Sequence, residues 1–217
     1  AYAIKSLNPH CKVYGVQSAG APSMFNAVKH GHMEELKSVA TIADGIAVKK
    51  PGDITYELCK KYVDDIVTVT DDEVSSAILA LIEEQKLIAE GAGAVAVAAA
   101  LFNKVDVVGK RVVCLVSGGN IDVNILSRVI TRGLLKAGRT ANFTIALTDK
   151  PGELQRVSTI VADLGANVVA VHHDRAGENM AVNACFLKLT METRDHEQVE
   201  EIRKALVEAG YEVTEIH

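Results

Sequence analysis

The apolar run Val112-Val113-Cys114-Leu115-Val116 stops at Ser117-Gly118-Gly119-Asn120, and a helical pattern begins at once with Asp122. A buried strand, a glycine turn and a helix in immediate succession make a ligand platform at the carboxyl end of the strand. The glycines let the backbone come close to a flat or phosphorylated ligand, and Ser117 offers one hydroxyl that both donates and accepts. Glycine also ends strands, and asparagine suits turns, for purely local reasons.

Strands and helices alternate through the rest of residues 1–140, as in a doubly wound α/β sheet. Cys11 to Gln17 reads as a strand, Ser23 to Gly31 as a short helix, and Ile54 to Val63 as a helix closed by Asp64-Asp65. Ile66 to Thr70 reads as a strand, followed by Asp71-Asp72-Glu73, acids well placed against a helix dipole. The helix they open puts Val74, Ala77, Ile78, Leu81 and Ile82 on one face. Ala94 to Phe102 is helical with small residues on every side, so it can pack close to a neighbour or a ligand. Asp122 to Ala137 ends the unit, with Gly138 as a stop.

After Thr140 the pattern changes. Phe143 to Leu147 is a strand, and Asp149-Lys150-Pro151-Gly152-Glu153 starts a helix with proline near its first position. Leu154, Val157, Ile160, Val161 and Leu164 form one helical stripe, and Val199, Ile202, Ala205, Leu206 and Ala209 form another. Between them lie strands Asn167 to His172 and Ala181 to Met191, separated by Gly177-Glu178-Asn179; a last strand spans Tyr211 to Ile216. The order strand, helix, strand, strand, helix, strand is a split βαβ, ferredoxin-like βαββαβ unit over residues 141–217.

Composition limits the alternatives. With 48% hydrophobic residues but only four Phe, five Tyr and no Trp, the cores must be built from Val, Ile, Leu and Ala. The net charge of -5 is concentrated in residues 141–217, which carry 7 basic and 13 acidic side chains against 16 and 15 before them. That acidity argues against a nucleic-acid surface. Cys11, Cys59, Cys114 and Cys185 fall in no paired spacing and read as free, buried thiols of a reducing compartment. The longest small apolar run, Ala92 to Phe102, is too short to span a bilayer, and a cytoplasmic location is the default expectation. His30 with His32, and His172 beside His173, lack a third ligand at convincing spacing, so no metal site is expected.

Ile42-Ala43-Asp44-Gly45, the tract Ile66 to Glu73, Glu90-Gly91-Ala92-Gly93-Ala94 and the 117–120 turn, in this order and spacing, resemble the threonine dehydratase and serine racemase family of pyridoxal-phosphate enzymes of fold type II. The resemblance covers residues 1 to about 140, the rear half of such a catalytic domain, so residue 1 is expected to be an interior start. It implies that Ser117 faces the ring nitrogen of the cofactor, that Glu90 and Gly45 lie beside the ring, and that Gly118 and Asn120 shape the turn beneath it. A neutral hydroxyl need not keep the ring protonated, which suits β-elimination: threonine or serine would lose water, and the resulting enamine would hydrolyse to a 2-oxo acid and ammonia. The family's phosphate-cradling glycine loop and its Schiff-base lysine do not occur in this chain, so no catalytic residue is assigned and the chain alone is expected to be inactive. The racemase branch has acidic cation ligands where this chain has Gln17 and Ser23, weaker ligands for a hard cation.

The words Asp149 to Leu154 and Gly165-Ala166-Asn167 resemble the ACT domain, an amino-acid-sensing module. That resemblance implies an effector site at the helix start, made by Asp149, Gly152, Glu153, Leu154 and Asn167, often between two copies. Backbone amides near Gly152 would hold the effector's carboxylate. The expectation is a regulated threonine dehydratase acting as a homo-oligomer. The rival readings are a non-catalytic amino-acid-binding regulator and a β-replacement enzyme.

Overall fold

A computed structural model describes residues 1–175 and 184–216. The chain forms two units, Ala1–Gly133 and Leu134–His217. In the first unit the elements are α1 (Tyr2–Leu7), β1 (Tyr14–Ser18), α2 (Ser23–His30), a 3-10 turn (Asp44–Ile46), α3 (Asp53–Tyr62), β2 (Asp65–Val69), α4 (Asp71–Ala80), a π-helical turn (Leu81–Gln85), α5 (Gly91–Leu101) and the start of α6 (Val123–Lys136). Strands β1 and β2 pair in parallel, Tyr14 opposite Asp65 and Ser18 opposite Val69.

Helix α4 begins where it does because Thr70 and Glu73 form a reciprocal cap. The Glu73 N–H donates to Thr70 Oγ1 at 3.3 Å, and the Thr70 N–H donates to Glu73 Oε2 at 2.8 Å. Two orphan donors of the first turn are thereby satisfied. Val74, Ala77, Ile78 and Leu81 are buried as their spacing predicts, with Ile82 packed partly buried against them. The facing helix α5 buries Gly91, Gly93, Ala94, Val95, Ala98 and Ala99, and its lack of bulk lets the two backbones come close.

One expectation fails here. Residues 112–116 are not a strand, and Val113 and Leu115 are 95% and 74% exposed. A strand needs a neighbour to take up its N–H and C=O groups, and among the described residues no strand lies beside this segment. Among the described residues the sheet of this unit is therefore two parallel strands wide, without the third strand expected over residues 112–116.

The second unit contains β3 (Thr140–Thr148), α7 (Glu153–Asp163), β4 (Asn167–Asp174), β5 (Ala184–Glu192), α8 (His196–Glu208) and β6 (Glu212–Glu215). The sheet order is β4-β5-β3-β6 with every pairing antiparallel, the arrangement of a split βαβ unit. Cys185, Leu187, Leu189 and Met191 of β5 are all buried on one face, and the last three join Phe143, Ile145, Val157, Val161, Ile202 and Leu206 in a buried core. In β4 the register shifts between Val168 and Ala170: Val168 faces Met191, Ala170 faces Thr190, and Val169 is the extra residue of a bulge. Helix α8 is capped by Asp195, whose carboxylate accepts from the Gln198 N–H at 2.9 Å.

Pro151 stands near the helix start as expected, two residues before the first helical residue, Glu153, with Gly152, at φ +95°, in the cap. One detail of the second unit differs from expectation. Leu154 is 44% exposed, since the buried stripe of α7 is narrower than the sequence spacing suggests. The Gly177-Glu178-Asn179 separator lies outside the described residues.

Candidate functional site

Glu90 is the cap residue of α5 and the centre of the candidate site. Its own N–H donates to the Gly118 carbonyl at 3.0 Å, and its Oε2 accepts from the Asn120 N–H at 3.2 Å. A Cβ on Gly118 would lie 2.7 Å from the Glu90 carboxyl carbon, so any larger residue there would displace this carboxylate from its position. On the other side, a Cβ on Gly45 would meet Glu90 Oε1 at 3.4 Å and the Ala92 methyl at 3.0 Å. Gly45, Glu90, Gly118 and Asn120 are thus brought together, with the acid between two close-packed turns. Ser117 is next to them in the chain and exposed, and among the described residues its hydroxyl has no protein partner.

Of these residues Glu90 and Asn120 line a cleft of about 610 Å³, together with Thr41, Asp44, Asp71 and Arg128 among others, whereas Gly45, Ser117 and Gly118 are not in its lining. Most of its acids have structural partners. Asp71 accepts from the Thr41 hydroxyl at 2.6 Å and from the Ile42 N–H at 3.2 Å, so it fixes the loop that leads to Gly45. Asp122 accepts from the Asn124 and Ile125 N–H groups at the start of α6, at 2.8 and 3.4 Å. Sequence reasoning treated Asp71 only as a helix-start acid and missed Thr41 altogether; a lone threonine far from the acid in sequence gives no signal. The Gln17 side-chain oxygen accepts the Phe25 N–H at 2.8 Å, and Ser23 is buried.

In the second unit a smaller cavity of about 290 Å³ is lined by Asp149, Gly152, Glu153 and Leu154, together with His173 and Arg175. Arg175 Nε lies 3.0 Å from Asp149 Oδ2, and Glu153 Oε2 accepts the Tyr211 hydroxyl at 2.7 Å. Burial, reinforced by that carboxylate, pushes the Tyr211 phenol up. Asn167 is not in this cavity. It lies at the other end of the sheet, opposite Glu192, and donates to Glu192 Oε2 at 3.0 Å. Within one chain it does not join the other four.

All four cysteines are free, but only Cys185 is buried; Cys11 is exposed, and Cys59 and Cys114 are intermediate. Cys185 Sγ lies 3.0 Å from His173 Nε2, and that nitrogen is 3.9 Å from Asp149 Oδ1. Burial pushes the Cys185 thiol up, and the Asp149 charge adds to the effect. No spacing rule links residues 149, 173 and 185, which only the strand pairing brings together.

Residues 1–118 match the family described as pyridoxal-phosphate dependent enzyme. The chain belongs to that family. It is 50% identical over 211 residues to an L-threonine ammonia-lyase of Thermotoga maritima, a match covering 97% of this chain and 52% of the relative. A second L-threonine ammonia-lyase, from Geobacter sulfurreducens, is 40% identical over the same shares. The chain therefore spans about half the length of these curated relatives. Among solved structures, the processed form of threonine deaminase isoform 2 from Solanum lycopersicum matches with a TM-score of 0.56 and 35% identity, covering 61% of this chain and 37% of that one. Maize serine racemase matches with a TM-score of 0.54 and 30% identity, covering 63% and 43%. No helix among the described residues is long and apolar enough to cross a membrane.

Proposed function

We propose that this chain supplies the cofactor-ring half of a threonine ammonia-lyase, residues 1–140, followed by an ACT-type regulatory domain, residues 141–217. The observation that carries the reading is the Glu90 carboxylate, held between the Gly45 and Gly118 turns beside an exposed Ser117 hydroxyl. Pyridoxal phosphate, when bound, withdraws electrons from the α-carbon of an amino acid and so favours loss of a β-hydroxyl. The residues present fit one side of its ring: Ser117 has a free neutral hydroxyl for the ring nitrogen, and the glycine turns bring backbone close without side chains in the way. They do not cradle its phosphate, and no lysine lines the cleft.

In this reading Ser117 orients the ring without forcing a proton onto it. Glu90 fixes the 118–120 turn through the Asn120 N–H, and its carboxylate would stand near the cofactor ring. Threonine, and serine with it, would undergo β-elimination of water and hydrolysis to a 2-oxo acid and ammonia. The names of the two bacterial relatives support threonine.

For the second unit, the strand order and the cavity at Gly152 support an effector site for a free amino acid made by Asp149, Gly152, Glu153 and Leu154. Since Asn167 sits at the far end of its own sheet, its part in that site requires a second copy, in keeping with a homo-oligomer. A cytoplasmic location belongs to the same proposal.

The test uses the full-length parent enzyme and its Ser117→Ala variant. Formation of 2-oxobutanoate from threonine should be lost while thermal stability is retained. The 217-residue chain alone should give no turnover with added cofactor. Unchanged activity in the variant makes Ser117 a turn residue only, and turnover by the chain alone refutes the assignment of its missing lysine.

A further inference from the structure

Strand pairing places three different metal-binding side chains on one face of the second sheet. Cys185 lies on the central strand β5, and its side chain shares the buried face with Leu187, Leu189 and Met191. Across one pairing, His173 of β4 faces Leu187, so its imidazole falls on the same side as Cys185. Across the other, Leu147 of β3 faces Cys185, and Asp149, two residues on, continues that face just beyond the strand. The outward parity of the intervening residue is visible in Asp174, whose carboxylate instead pairs with Lys188 on the opposite side.

The resulting donors are a sulfur, an imidazole nitrogen and a carboxylate oxygen, all within 4.8 Å of one another. Zinc bonds of about 2.0 to 2.3 Å to such ligands imply tetrahedral donor-to-donor edges of roughly 3.3 to 3.6 Å. The observed nitrogen-to-sulfur and nitrogen-to-oxygen separations, 3.0 and 3.9 Å, lie on either side of that range. Rotamer adjustments of a few tenths of an ångström at His173 and Asp149, both about one-third exposed, would close the site.

We propose that Asp149, His173 and Cys185 bind one Zn²⁺-class ion, with a fourth position open toward the cavity that contains Gly152 and Leu154. The mixed sulfur, nitrogen and oxygen set favours a borderline-soft ion over Mg²⁺ or Ca²⁺, which take oxygen ligands. Binding leaves the thiolate on the metal and releases its proton to solvent, with no change of oxidation state. A thiolate and a carboxylate together neutralise the ion's two charges. Arg175, now paired with Asp149, has an exposed side chain and can swing away into water. The inference stands on the second unit alone and is independent of the dehydratase reading.

The experiment is anaerobic titration of the full chain with Co²⁺ in the presence of a non-thiol reductant, followed by displacement with Zn²⁺. One equivalent should produce a sulfur-to-cobalt charge-transfer band and the intense visible bands of a tetrahedral ion, both abolished by Zn²⁺. His173→Ala and Asp149→Asn, at exposed positions, should each weaken binding at least about tenfold, since even supporting residues around a metal contribute that much. His172→Ala, and the combined Cys11→Ser, Cys59→Ser and Cys114→Ser variant, should bind as the parent chain does. Absence of the charge-transfer band overturns the proposal. So does a band that survives His173→Ala, or one that disappears in the triple cysteine variant.

Discussion

Replacing Gly93 with alanine sets two known effects against each other. Gly93 lies in the first turn of α5, and alanine in a helix is favoured over glycine by up to about 1 kcal/mol. Against this, a Cβ there would lie 2.7 Å from the Gly118 carbonyl oxygen and 3.1 Å from the Gly118 nitrogen. Ordinary contact begins at 3.4 Å, so the backbone of residue 118 must retreat by about 0.7 Å. A side chain could rotate out of the way; a peptide group cannot. The same oxygen accepts the Glu90 N–H at 3.0 Å, so its retreat also strains the cap of α5. Overpacking of this kind costs roughly 1 to 3 kcal/mol, and the expected net loss is about 1 to 2 kcal/mol. Urea denaturation followed by circular dichroism should show the midpoint fall by about 0.5 to 1 M at a slope of about 2 kcal/mol per molar. Ala96→Gly in the same helix provides the comparison, since it should lose only the propensity term of about 1 kcal/mol. A rise in the midpoint for Gly93→Ala would show that helix propensity outweighs the contact and that the turns around Glu90 are loosely packed.

Thr70→Ala should cost about 1 kcal/mol by removing the α4 cap, read by the same denaturation. Glu73 gives the first unit a pH signature: burial works to raise its carboxyl, but the Lys104 ammonium and the Thr70 N–H together hold it below the ordinary glutamate range. Because the native value is depressed, this stabilisation is present above the unfolded glutamate pKa and is lost as pH falls through the native one; Glu73→Gln should flatten that acidic part of the curve, and an unchanged curve would contradict it. Phe143→Ala, at 1% exposure in the second core, should destabilise by about 3 to 5 kcal/mol and release amide protons of β3 and β5 to exchange.

Local chemistry was legible in the sequence wherever a short stretch carries its own cause. The acids at 71–73 open α4, the apolar stripe at Val74, Ala77, Ile78 and Leu81 is buried, and the split βαβ order follows from periodicity alone. What periodicity cannot supply is a partner. The run 112–116 has the composition of a buried strand, yet it remains exposed because strand formation depends on hydrogen bonds from elsewhere in the protein. Gly45, Glu90, Gly118 and Asn120 were named together from a resemblance, and the structure adds the physical reason for their proximity: the glycines make room for the carboxylate. Thr41 with Asp71, and Cys185 with His173 and Asp149, escaped notice because each contact joins segments with no common spacing.

The extra residue in β4 acts as a parity switch. If Val169 were instead paired with Thr190, so that the ladder ran on unbroken from Val168 opposite Met191, every later side chain of the strand would exchange faces. His172 would then stand opposite Leu187, on the face of the Cys185 sulfur, while His173 would turn to the outer face opposite Phe186. Two adjacent histidines that are indistinguishable by type are therefore sorted into an inner and an outer one by a single unpaired valine, three residues before the first of them.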